Sequence, residues 1–412
     1  MADRSLDATP TIESDPPRLT MLVPCWNAAA TIQRALRSIL DERSVPFECI
    51  VIDDGSTDGT ADIVQSIADE DPRVRLLRLP ENGGVSKARN QGLAAVRTEW
   101  VGFHDADDRM LPGWLDALMD PTADPDVRAV VGQRIWTDGE RTWLGPNYDN
   151  PDVREPGRKS IAANPGLLFF AACTGKVFHR SLLGGLQFEG RVLGDQAWTI
   201  RALLRAGPHI EVVTDTVFEW SRPHPDDAVE TITTQARGSA AGATRMAVMA
   251  RTVFLAVAAE VDALVEDERT RETIKRAYFD RLILSDLGGP VRAAAQRGDP
   301  GMGGLFDALV DFLDVVPRSI LATSVALPTH LLRPPGVHWT TLPSGARRGY
   351  WTLVRRGLRA DPRMSRRIAW RRLIEPAFVF ARVGPPIGPA ASTAVMAVMS
   401  AVDRVIRLAR RS

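Results

Sequence analysis

Short apolar runs alternate with amphipathic stretches over the first 220 residues of this chain. Residues 19–24 read as a strand, and 28–40 as a helix with Ile32, Ala35, Leu36 and Ile39 along one face and Asn27 as its cap. Residues 47–52 predict a second strand, 61–68 a second helix, 74–79 a third strand and 85–96 a third helix. Residues 100–103, apolar and β-prone, predict a buried fourth strand that stops at a cluster of carboxylates. This alternation predicts βαβ units, and so an α/β, Rossmann-like fold whose mostly parallel central sheet is flanked by helices.

The pattern then loosens. Residues 127–136 read as a strand, 141–165 as a loop-rich connection, 194–206 as a helix and 210–220 as a last strand. From Thr231 the periodicity becomes helical, in long stretches over 239–265 and 269–287. The chain divides accordingly into a disordered leader over 1–18, an α/β domain over 19–230, a helical region over 231–330 and an Arg-rich region over 331–412. Residues 327–348 are rich in Pro and Gly and read as a linker, and 395–411 form a terminal amphipathic helix.

Composition adds one correction to this picture. A content of 44% hydrophobic and 25% charged residues over 412 positions is that of a soluble globular protein. The neutral total hides an asymmetry, because residues 331–412 hold 16 Arg against 3 acidic residues. A basic amphipathic helix there suits an anionic membrane surface, and equally a packed helix with a solvated Arg face. No aromatic-basic recognition module accompanies it, so no nucleic acid is expected as a partner. No stretch reaches the ~18 apolar residues that a membrane span needs, and residues 1–18 lack a secretory apolar segment. The three cysteines share no metal or redox spacing. These features predict a cytoplasmic protein, with a peripheral place on the inner face of the plasma membrane as one reading of the tail.

The chemistry gathers where strands end: Asn27, Asp53-Asp54, Asn82 and Asp105-Asp107 each follow a predicted strand. Ligands of open parallel sheets collect at that edge. Asp105, Asp107 and Asp108 repel one another unless a cation sits among them, so they read as a hard-cation site or as an acidic turn. Asp108 reads as a cap for the helix beginning near Pro112.

Four motifs stand in order: V-P-C-W-N at 23–27, V-I-D-D-G-S-T-D-G-T at 51–60, E-N-G-G-V-S-K-A-R-N at 81–90 and H-D-A-D-D at 104–108. Together they resemble the inverting family-2 glycosyltransferases, whose single nucleotide-binding domain is called GT-A. With weaker matches up to His224, the resemblance covers roughly half the chain. It implies a GT-A domain with a helical C-terminal region, a nucleotide-sugar donor, a glycan or lipid-linked acceptor, and Mg²⁺ or Mn²⁺. The products it implies are cell-envelope or surface glycans.

The resemblance also assigns roles. Asp107 would bind the metal, and Asp105 would approach the ribose or reach the metal through water. Asp54 would hydrogen-bond the base beside Asp53, Trp26 would stack on it, and Pro24 and Asn27 would shape that loop. Lys87 and Arg89 would meet base or phosphate. Arg222 would neutralise phosphate, and His224 would complete the metal shell. Lys176, Phe178 and Arg180 resemble a segment on the acceptor side. An acceptor hydroxyl needs a carboxylate base, and the family's E-D pair corresponds to Gly194-Asp195, followed by Trp198 and Arg201. Asp195 is therefore the expected base, although Gly replaces its acidic neighbour. Two other classes stay open: another nucleotide-dependent transferase on this scaffold, and a nucleotide-binding domain without transferase activity.

Overall fold

The computed structural model describes residues 15–138, 140–144, 150–190, 192–221, 239–297, 301–324 and 326–327. The chain forms two compact units. The first takes in Met1–Asn164, Phe170–Arg191 and Arg205–Asp227, and the second Pro165–Phe169, Val192–Leu204 and Ala228–Ser412. The division thus differs from a single boundary near residue 230, because two short pieces of the expected α/β domain belong to the helical unit.

Apolar side chains on both faces make the first strand, β1 (Leu19–Cys25), a fully buried one. It pairs in parallel with β2 (Phe47–Asp53) and β4 (Trp100–Phe103), and β2 pairs in parallel with β3 (Val74–Arg78). Helices α1 (Ile32–Leu40), α2 (Thr60–Glu70) and α3 (Val85–Ala95) are the connections, as parallel pairing requires. Helix α1 buries Ile32, Ala35, Leu36, Ile39 and Leu40. Helix α3 lies so close to the sheet that a Cβ at Gly92 would stand 2.9 Å from Ile52 Cδ1 and 3.2 Å from Leu22 Cδ2.

The capping expectations need correction. Helix α1 starts at Ile32, and the residue at its N-cap is Thr31, not Asn27. Asn27 instead adopts φ +47° and uses its side chain elsewhere. Asp108 does not cap the next helix, α4 (Trp114–Met119), whose N-cap is Gly113.

Beyond β4 come a two-residue strand β5 (Arg109–Met110), then β6 (Ala129–Thr137), β7 (Thr142–Leu144) and β8 (Gly157–Lys159). The last two, with the single turn α5 (Pro151–Arg154), occupy the stretch expected as loop. Strand β9 (Lys176–His179) runs antiparallel to both β4 and β6, which makes β6 parallel to β4. With β10 (Ile210–Ser221) parallel to β6, the order is β3-β2-β1-β4-β9-β6-β10-β5. The carboxyl ends of β1, β2, β4, β6 and β10 therefore share one edge.

In the helical unit, Ser239 caps α7 (Ala240–Leu264) through its hydroxyl to Gly242 N–H, and Asp267 caps α8 (Glu268–Arg281) through Thr270 N–H. Phe254, Tyr278, Phe279 and Phe312 form its aromatic centre, with ring centroids 5.6–6.4 Å apart. A wide helical turn over Leu282–Leu287 follows α8, and Arg281 and Asp286 form a buried ion pair across it at 2.9 Å. Among the described residues no helix is long and apolar enough to cross a membrane. The terminal amphipathic helix and the Arg-rich region lie outside the described residues.

Candidate active site

The site is built from the loop that follows each central strand. After β1, Trp26 projects with 55% of its surface exposed. Asn27 ties that loop to the one after β2: its N–H donates to Ser56 Oγ at 2.9 Å, and its side-chain carbonyl accepts from Thr57 N–H at 2.9 Å. Ala28 N–H donates to Thr60 Oγ1, and Ala29 N–H to Asp58 Oδ2. Hydrogen bonds from Thr60 and Ala29 hold the Asp58 carboxyl below its ordinary value despite partial loss of solvent. Pro24 is buried in β1 opposite Ile52, beneath this loop.

Asp53 and Asp54 end β2 and point to different partners. Asp53 is fully buried; its Oδ1 accepts from Ser56 N–H at 3.0 Å, closing an Asx turn, and Arg78 Nε lies 3.4 Å from its Oδ2. Asp54 accepts from Gly83 N–H at 3.0 Å and Gly84 N–H at 2.7 Å, so its carboxylate clamps the loop that opens α3. Gly55, at φ +72°, permits this approach: a Cβ there would stand 2.8 Å from the Glu81 carbonyl carbon. Lys87 is exposed on α3.

Arg89, two residues along α3, is buried and donates through Nη2 to Asp105 Oδ1 at 2.7 Å, with its guanidinium over the Phe188 ring at 5.4 Å. The structure thus brings together two residues that the sequence assigned separately, while the cation beside Asp107, Arg34, contacts its backbone carbonyl. Asp107 keeps solvent access, yet the protein mass around it displaces water and Asp105 adds like charge, which together push its carboxyl up to about 6. Asp108 is buried and raised well above the carboxylate range, chiefly by that burial and then by Asp105 and Asp107; its Oδ1 accepts from Ser221 N–H at 3.0 Å. His104 is buried and pushed down to about 4, so it stays neutral.

No group of three or more His, Cys, Asp or Glu side chains suited to a metal occurs among the described residues. The all-oxygen pair Asp105 and Asp107, with Asp107 raised by crowding and like charge, fits a hard cation that takes its other ligands from a substrate. Arg222 and His224 lie outside the described residues.

Asp195 belongs to the helical unit, half-buried in the first turn of α6 (Gly194–Ala206). Leu193, just before it, is held at φ +60°, unusual for a branched side chain. Trp198 is buried in that unit, and Arg201 pairs with Glu260 at 2.9 Å. Lys176 and Phe178 are buried in β9, where the Lys176 ammonium donates to Ala172 O at 2.7 Å and sits 4.4 Å from the Phe170 ring centroid. Arg180 is exposed and reaches Arg97 O at 3.2 Å. Arg34 escaped the sequence reading altogether. From α1 it donates to the backbone carbonyl of Asp107 at 2.7 Å, and no motif spacing marks it.

A mostly parallel sheet with helices on its faces and acidic motifs at its carboxyl edge defines a GT-A nucleotide-binding fold. Residues 20–186 match the family model described as Glycosyl transferase family 2. The succinoglycan biosynthesis protein ExoO of Rhizobium meliloti is 40% identical over 195 residues, 46% of this chain and 53% of that protein. Glycosyltransferase GlyG of Streptococcus pneumoniae is 28% identical over 134 residues, 32% of this chain and 41% of its own. The chain thus spans about half, or less, of the length of these curated relatives. Among solved structures, residues 1–349 of S. aureus TarS superpose with a TM-score of 0.61 at 19% identity, over 83% of this chain and 90% of that one. The same TarS fragment has been solved with UDP-GlcNAc.

Proposed function

We propose that this protein is a metal-dependent inverting glycosyltransferase, moving a sugar from a nucleotide-diphosphate donor to a hydroxyl of a glycan or lipid-linked acceptor in surface-glycan synthesis. The observation that carries this reading is the single edge shared by Trp26, Asp54, the Arg89–Asp105 pair and Asp107. Trp26 offers the donor base an exposed aromatic face, and Asp54 fixes the loop beside it. Arg89 holds Asp105 toward the ribose side. Asp107, with Asp105 beside it, would hold a divalent cation, Mg²⁺ or Mn²⁺, which would supply positive charge for the departing diphosphate. Asp195 accepts the proton of the acceptor hydroxyl as its oxygen bonds to the anomeric carbon and the bond to the diphosphate breaks, with inversion. Lys87, Arg222 and His224 are assigned to the donor phosphates and the metal by their motif positions. The basic surplus of residues 331–412 suits contact with an anionic membrane face, and equally a solvated Arg face.

UDP-GlcNAc is the first donor to test, because a structurally similar fragment was solved with it. In a thermal-shift screen of nucleotide sugars with and without Mn²⁺, the true donor raises the melting temperature by mass action, and more so with metal. Asp195→Asn then lowers the transfer rate about 10²–10⁴-fold, the usual worth of a general base, with donor binding unchanged. Donor binding without transfer to any acceptor would favour the non-catalytic reading. Full activity in Asp195→Asn would place the base elsewhere.

A further inference from the structure

The turn that carries Asp107 is fastened twice, at consecutive residues, to one residue of β10. Asp108, buried directly after it, accepts the Ser221 N–H at 3.0 Å. Arg34 donates through one nitrogen, Nη2, to the carbonyl of Asp107 at 2.7 Å and to Ser221 Oγ at 3.3 Å. Between these fastenings and the core, β5 pairs Met110 with Phe218 and Arg109 with Glu219, reinforced by the Arg109–Glu219 ion pair at 2.7 Å.

The interior of this assembly is apolar and already fixed by packing: Met110 and Phe218 are buried in the core. Arg34 differs. It is exposed on α1, buries nothing, and spends its charged donor on the peptide carbonyl of the very residue assigned to the metal. A peptide unit held at its carbonyl fixes the Cα–Cβ direction of the same residue, and thus where its carboxylate can reach. Groups that orient a ligand in this way typically govern metal affinity by about 10–100-fold.

We propose that Arg34 is a positioning residue for divalent-metal binding, clasping the Asp107 backbone to Ser221 so that the Asp107 carboxylate is presented in one direction. The proposal rests on the reading of Asp107 as a metal ligand. Both acceptors are served by one nitrogen, Nη2, so a lysine, whose ammonium also carries several N–H donors but on a differently shaped stem, is expected to keep part of the effect.

Mn²⁺ binding to the full chain, followed by the loss of the free-ion paramagnetic resonance signal, tests it without a turnover assay. Arg34→Met is expected to weaken Mn²⁺ about tenfold, within the range for such orienting groups, and Arg34→Lys to recover part of that loss. Ser221→Ala, which removes one arm, should weaken it by a smaller factor. Melting temperatures of all three should stay near that of the parent, since Arg34 is exposed. Equal Mn²⁺ affinity in the parent and Arg34→Met overturns the proposal while leaving the metal site standing. A parent chain that binds donor but no Mn²⁺ overturns the metal reading, and this inference falls with it.

Discussion

Asp107 shows how crowding and a like charge set a carboxylate's hold on its proton. Its carboxyl stands at about 6 in the folded chain against 3.8 for an ordinary aspartate. Between those values the folded state binds a proton that the unfolded state has released, so through this group stability rises as pH falls from 6 toward 4 and declines as pH rises. The proton also competes with a cation. Mn²⁺ affinity should therefore hold steady above about pH 7 and drop about tenfold per unit below 6, a dependence that titration calorimetry across pH 5–8 would reveal. Asp107 was legible as a candidate ligand from its place in the motif. The pairing of Asp105 with Arg89 was not, because their proximity comes from tertiary packing, with α3 laid on β1 and β2, and leaves no mark in local spacing. Asp108 was misread for a similar reason: a helix cap is a local pattern, whereas its actual partner, Ser221, is 113 positions away.

At the scale of elements, the loops after β1, β2 and β3 act as one block. Four hydrogen bonds join the first to the second, and the Asp54 carboxylate joins the second to the third. Gly55 is the point where that block is thinnest. Gly55→Ala must both adopt φ +72° and push a methyl group against the Glu81 and Asn82 backbone. A loss of at least about 1 kcal/mol follows from the backbone conformation alone. Urea denaturation should register it, and nucleotide affinity should fall in parallel as the Asp54 clamp opens. The helix and strand pattern of residues 19–110 was readable because βαβ units repeat the same local signals. The short strands β7, β8 and β9 were not, since Lys176 buried beneath an aromatic ring is contrary to any hydrophobicity pattern.

For the whole molecule, the sequence divides charge unevenly, with the basic surplus confined to residues 331–412. If that surplus docks the enzyme on a membrane, the full chain should co-sediment with vesicles rich in anionic lipid and not with zwitterionic ones. Raising ionic strength from about 0.05 to 0.5 M should release it, as screening shortens the reach of surface charge. Salt-insensitive or absent binding would assign the Arg face to solvent or to protein packing.

The position of β9 carries a consequence for how the chain is made. Strands β1, β2 and β3 can pair as they leave the ribosome, because each adds to the edge of its predecessor, while β4 returns to β1. Strand β6 has no such option: its neighbour toward β4 is β9, which follows it by about forty residues and runs the other way. Until residues 176–179 emerge, two sheet margins wait with open hydrogen-bonding edges, one on β4 and one on β6. The sheet therefore closes only after β9 and then β10 have emerged, a high-contact-order step and the slow one expected in assembly. It is also the stage at which a nascent chain is most exposed to edge-to-edge aggregation.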